Sequence, residues 1–351
     1  MAREMRKRGV RSLYSTHSRE SVTGANLLDK VGGGECIMKM ISIDGGGVRG
    51  IIPVMILAEI ESRTKKSIVD MCDIIAGTSI GGHIALGLTV PDESGKPRWS
   101  AQQLSEQYLA SLESIFPSSD FGLLDVIKGI THQKYEAAGI DSVLLEIFGD
   151  ARLSTSLCEV LVTAYEVENA MPHFFTRHDA RQDPKHDHLT RFVARATSAA
   201  PTYFEPAATL HSSDRLTFID GGVFANNPTM CAFAHAQALG FDEDDMLILS
   251  LGTGAVSTPL EYETVKDWGL AHWARPVFEI SAHASNHAID WQLSHILKQN
   301  KYFRLTPSLA EGRTPLDDAR PETMAKLVGL ARELIKQNDA MLDQICTQLV
   351  S

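Results

Sequence analysis

The apolar positions of this chain change period repeatedly, and each change marks an element. Met38–Ile43 is a nearly continuous apolar run, short enough for a strand and covered on both faces if it lies inside a sheet. Ile51, Val54, Met55 and Ala58 then recur at helical spacing, which predicts a helix over 51–60. A second short apolar run at 73–77 predicts another strand, and 80–88 a helix with small residues on its near side. Further strands are predicted at 157–165, 216–220 and 246–250, with a helix at 192–198 between them. An amphipathic pattern over 322–350 predicts a final helix or helix pair. Strands alternating with helices imply an α/β fold, a mostly parallel sheet covered on both faces.

Three segments break this pattern. Residues 1–37 open with Arg3, Arg6, Lys7, Arg8 and Arg11 and continue rich in Ser, Thr and Gly. They read as a disordered basic arm, with contact to anionic lipid as a secondary role. Met38 or Met40, at the head of the first strand, is an alternative start. Residues 92–150 are irregular, and Phe121, Leu123, Leu124 and Ile127 form either core or a surface-contact element. In 268–303, Trp268, Trp273 and Trp291 are expected to pack in the core rather than touch lipid.

Composition narrows the function classes. The chain has 351 residues, is 44% hydrophobic and 22% charged, and carries a formal charge of −11. That charge opposes binding to nucleic acid, whose phosphates require a positive field. The five cysteines (Cys36, Cys72, Cys158, Cys231, Cys346) form no CxxC pair, which fits a reducing compartment and no zinc ribbon. The uncharged stretch 74–91 contains glycines, Ser79, two threonines and His83, so it reads as strand, turn and helix rather than a membrane span.

The chemistry concentrates in three stretches. "IDGGGVRG" places Gly45, Gly47 and Gly50 in G-x-G-x-x-G spacing directly after the first strand. A dinucleotide turn is one reading, and it requires an acid at the end of the second strand to hold ribose. Asp70 and Asp73 are near the required distance, yet Asp73 stands at that strand's beginning. Asp44 beside the glycines is also unwelcome near a pyrophosphate. Gly45, Gly46 and Gly47 are better read as bare peptide donors facing a transient oxyanion, with Arg49 fixing the loop or adding positive potential.

"GTSIGG" is a G-x-S-x-G between strand and helix, formed by Gly77, Ser79 and Gly81. A nucleophile there needs a strained backbone and small neighbours. "IDGGVFANNP" puts Asp220 at a strand end, followed by Gly221 and Gly222. In a parallel sheet, the carboxyl ends of strands gather on one edge, which brings Asp220 to Ser79 although 141 positions (220 − 79) separate them.

These three stretches, in this order, resemble the motifs of patatin-like phospholipases, of the bacterial type with a single patatin domain. "ATSAAPTYFEP" and "LILSLGTG" are similar to that family too, and Gly222 is an accepted variant of alanine. The resemblance spans residues 38–305 and implies a catalytic domain there, with 306–351 a helical segment packed on it. It implies a three-layer α/β/α fold and a Ser–Asp dyad: Ser79 the nucleophile, Asp220 the proton acceptor, the Gly45–Gly47 amides the oxyanion hole. It implies hydrolysis of phospholipid or other acyl-lipid esters at a membrane surface, without metal or cofactor. The expected location is cytoplasmic, with peripheral membrane contact left open. So are oligomeric state and any small-molecule or protein activator.

Alternatives remain. The dyad serves equally an esterase or thioesterase acting on soluble acyl substrates. Relatives of this length include defence effectors that degrade membranes when a nucleotide activates them. The glycine turn alone would suit a nucleotide-binding module. His83, one helical turn past Ser79, is read as a structural histidine rather than a third catalytic member. His178, Asp179, Asp183, His186, Asp187 and His188 lack helical ligand spacing and read as a solvated loop.

Overall fold

The computed structural model describes residues 37–116, 135, 137–209, 215–256, 260–309 and 315–351. The basic arm up to residue 36 and Phe121, Leu123, Leu124 and Ile127 lie outside the described residues. The strands are β1 (Met38–Ile43), β2 (Ile74–Thr78), β3 (Glu159–Glu166), β4 (Met171–Thr176), β5 (Ala207–Ala208), β6 (Thr217–Asp220), β7 (Met246–Leu251) and β8 (Tyr302–Leu305). They form one eight-stranded sheet in the order β5-β6-β3-β2-β1-β7-β8, with β4 also paired to β3. The pairs from β3 through β8 along this order are all parallel.

Alternate residues of β1 feed opposite layers, which is why its apolar run has no polar face. Ile41 and Ile43 join a large cluster, while Met38 and Met40 join a smaller one with Ile248 and Leu293. Each such side chain, fully buried, contributes roughly 1.5–3 kcal/mol. Helices α1 (Ile51–Thr64), α2 (Ile80–Thr89), α3 (Ala101–Ile115), α4 (Ala137–Phe148) and α5 (Thr190–Thr197) cover the large cluster. Helices α6 (Thr229–Ala238) and α7 (Leu270–Ile296) cover the small one through Phe233 and Leu293. The result is a three-layer α/β/α fold with a mixed, mostly parallel sheet. The closing pattern resolves into two helices, α8 (Pro321–Gln337) and α9 (Asp339–Val350), whose Leu327, Leu342 and Ile345 enter the large cluster.

Two expectations are corrected. Asp220 does not arrive on a parallel strand, because β6 runs antiparallel to β3. A strand has two edges, and β4 occupies one edge of β3 along 161–166. β2 and β6 therefore share the other edge, β2 opposite residues 159–163 and β6 opposite 164–166. They approach from opposite directions and end nose to nose, Thr78 across from Thr163 and Asp220 across from Ala164. Trp291 is the second correction. It is 64% exposed, because α7 packs through Ile289 and Leu293, and Trp291 lies on a different side of the helix.

Candidate active site

Ser79 occupies the turn between β2 and α2 with φ 55° and ψ −125°, a conformation that costs a non-glycine residue of order 1–3 kcal/mol. Its surroundings hold it there. The Ser79 N–H donates to Thr197 Oγ1 at 2.8 Å, and that hydroxyl donates to the Thr163 carbonyl at 2.6 Å. Gly77 and Gly81 let the chain fold back on itself: a Cβ on Gly77 would stand 2.2 Å from the Gly81 carbonyl oxygen. Gly50 likewise leaves room for the Ile80 side chain. Ser79 is half-buried.

Asp220 is 6% exposed, and its carboxylate accepts from the Gly222 N–H at 2.7 Å. Burial raises its pKa from 3.8 to about 6, while the neighbouring Ser79 hydroxyl and the Gly222 N–H pull the other way. Gly221 lies tight against Thr163, where a side chain would strike the strand. Because β2 and β6 end at neighbouring residues of β3, this carboxylate lies at the same end of the sheet as the Ser79 turn, and a carboxyl poised near neutrality is suited to accept a proton.

The glycine loop closes the third side, with a Cβ on Gly45 falling 3.3 Å from Ser79 Cβ. Its amides divide. The Gly45 N–H is spent on the Asn226 carbonyl at 2.9 Å, and the Val48 N–H on the Leu316 carbonyl at 2.8 Å. Among the described residues, the Gly46 and Gly47 N–H groups have no acceptor. Gly47 has φ +55°. The Arg49 side chain holds the loop, its Nε donating to the Gly46 carbonyl at 3.3 Å.

Sequence reasoning missed Arg304, on β8. Its guanidinium grips Asp44 in a fork, Nη1 to Oδ1 at 2.9 Å and Nη2 to Oδ2 at 2.5 Å, and also donates to Ser250 Oγ at 2.8 Å. Asp44 is 1% exposed. Burial raises its carboxyl against the pull of Arg304, and Asp44 in turn holds the guanidinium above its ordinary range. This pair anchors the foot of the glycine loop. Replacing Arg304 with methionine leaves Asp44 buried without a counter-charge, at a cost of about 3–5 kcal/mol. Urea unfolding reads that loss, and adding Asp44→Asn is expected to recover part of it.

The histidines lie elsewhere. His83 Nε2 lies 3.0 Å from both the Ala194 carbonyl and Ser198 Oγ, and burial lowers its pKa to about 4. The ring ties α2 to α5. In the 178–188 stretch, Asp179 pairs with the N-cap Thr176, and Asp187 accepts from the Ser154 amide and hydroxyl. Asp183 turns the chain by accepting from the Lys185 amide. Among the described residues, no three His, Cys, Asp or Glu side chains are grouped so as to hold a metal ion.

Known proteins are similar in sequence to this chain over most of its length. The family model described as Patatin-like phospholipase matches residues 41–233, more than half of the chain. Patatin-like protein 2 of Arabidopsis thaliana is 30% identical over 353 residues, covering 89% of this chain and 86% of that one. Patatin-like protein 2 of Oryza sativa subsp. indica is 29% identical over 348 residues, covering 88% and 86%. A Solanum tuberosum protein named probable inactive patatin-3-Kuras 1 is 30% identical over 335 residues, covering 86% and 87%.

Proposed function

The chain belongs to the patatin-like phospholipase family, and from that membership we propose that it is a serine lipid acyl hydrolase working through Ser79 and Asp220. Ser79 Oγ attacks the ester carbonyl carbon while its proton passes to Asp220. The carbonyl oxygen becomes an oxyanion facing the Gly46 and Gly47 N–H groups, where fixed donors lower the barrier by several kcal/mol. Collapse breaks the ester C–O bond. The departing alcohol takes the proton back from Asp220 and leaves an acyl-serine. Water, deprotonated by the same carboxylate, then attacks the acyl-serine, and a fatty acid departs with Ser79 regenerated.

The observation that supports this reading is the meeting of β2 and β6 on one edge of β3, which brings the strained turn at Ser79 and the strand end that carries the buried Asp220 to the same place on the sheet. The proposed substrate is a phospholipid or other acyl lipid approached from the membrane surface. Among the described residues, no helix is long and apolar enough to cross a membrane.

Vesicles of mixed phospholipids, followed by lipid mass spectrometry, test the proposal. The expected products are free fatty acid and lysophospholipid in equal amounts. Turnover confined to monomeric, water-soluble esters would move the assignment to a soluble esterase. No acyl-ester turnover on either substrate would remove the hydrolase reading.

A further inference from the structure

Every carbonyl of the glycine loop has a partner. Gly45 O accepts from the Thr253 hydroxyl at 2.6 Å. Gly46 O accepts from the Arg49 N–H at 3.2 Å and from its Nε at 3.3 Å. Gly47 O accepts from the Tyr108 hydroxyl at 2.8 Å. A trans peptide is planar, so its N–H points opposite to its C=O. Holding one carbonyl therefore aims the amide of the following residue. Thr253 aims the Gly46 N–H, Arg49 aims the Gly47 N–H, and Tyr108 aims the Val48 N–H, which Leu316 consumes.

We propose that Thr253 is a positioning residue for the reaction: its hydroxyl locks the Gly45–Gly46 peptide so that the Gly46 N–H faces the developing oxyanion beside Ser79. The inference rests on the proposed role of Ser79. Thr253 is 3% exposed and stands just past β7, the strand whose Leu251 carbonyl accepts the Asp44 N–H at the foot of the same loop. Its side chain lies directly against the loop. A Cβ on Gly46 would come within 2.2 Å of Thr253 Oγ1, so the bare Cα at 46 and the threonine at 253 occupy complementary space. The contact is direct at 2.6 Å, and the hydroxyl stands two residues past the end of β7, in a stretch whose Gly252 N–H donates to the Leu305 carbonyl. A donor held this way needs no reorganisation as charge develops, which is the condition under which an oxyanion hole is effective.

The prediction separates aiming from general support. Thr253→Val removes the hydroxyl with little change of shape. It is expected to lower kcat about tenfold to a hundredfold with KM within about twofold, less than the roughly hundredfold to thousandfold that loss of an oxyanion donor costs, because the Gly46 N–H remains and only its aim is lost. Thr253→Ser restores the hydroxyl and most of kcat. Tyr108→Phe removes a hydroxyl from the same loop, but from a peptide whose N–H is already consumed. It is expected to lower kcat far less than Thr253→Val for a comparable drop in Tm. Wild-type kcat in Thr253→Val would overturn the inference. So would equal losses in the two variants that track Tm. Ser79→Ala in the same series distinguishes the two levels: hydrolysis surviving there removes the dyad and this inference together, whereas an inert Ser79→Ala beside an unimpaired Thr253→Val removes this inference alone.

Discussion

Ser79→Ala is expected to lower fatty-acid release by about 10⁴-fold or more while leaving the protein folded. The loss is large because the nucleophile itself is gone, and only substrate binding and the glycine-loop donors remain to act on water. The fold survives because the turn is held through its backbone. Thr197 accepts the residue-79 N–H whatever side chain is present, and Gly77 and Gly81 still permit the tight crossing. Alanine at φ 55° bears the same backbone strain as serine, so Tm is expected to stay within a few degrees. Fatty-acid release and thermal unfolding on the same preparation separate loss of chemistry from loss of structure.

Asp220→Asn is expected to abolish hydrolysis and to make the protein more stable at pH 8. Burial raises the folded-state pKa of Asp220 to about 6, whereas an unfolded aspartate titrates near 4. A raised carboxyl binds its proton more tightly in the folded state. The associated stability is fully present below about pH 4 and is lost as pH rises through about 6. Two pKa units correspond to about 3 kcal/mol, an upper figure for what ionised Asp220 costs the fold at pH 8. Asparagine carries no charge and still accepts the Gly222 N–H, so the variant avoids that cost. Its stability advantage in urea unfolding is expected at pH 8 and should shrink toward zero at pH 4. The same titration governs the wild-type rate. Only ionised Asp220 accepts the serine proton, so kcat/KM falls as pH drops through about 6. An Asp220→Asn protein no more stable than wild type at pH 8 would contradict the burial account.

How much of this was legible in the sequence depends on whether the controlling contact is local. β1 and β2 are short apolar runs, β1 followed by the Gly45–Gly47 loop and β2 lying between Asp73 and the Ser79 turn, and their ends could be placed within a residue or so. The strained serine followed from Gly77 and Gly81 because the geometry they permit is local. Asp220 was marked by its glycines, but its route was misread. The four residues of β6 carry no record of the direction of their partner, and only the pairing along β3 reveals it. β4 escaped notice because Pro172 interrupts its pattern, as an edge strand tolerates. Gly45 looked like its two neighbours, and only the distant Asn226 carbonyl distinguishes it. Arg304 had no local pattern at all, and Thr253, although inside "LILSLGTG", had nothing in that stretch to point to the glycine loop. Their partners in the loop lie 260 and 208 positions away, and tertiary packing alone selects them. Trp291 shows the converse error, a large apolar residue assigned to the core on composition although α7 turns it outward.

The most direct measurement of the central claim is mass-spectrometric mapping of a fluorophosphonate adduct, with its rate of formation followed against pH. The account predicts one adduct, on Ser79, forming with a midpoint near pH 6 and lost in Asp220→Asn. An adduct on another residue, or an active enzyme in which Ser79 remains unmodified, would contradict it.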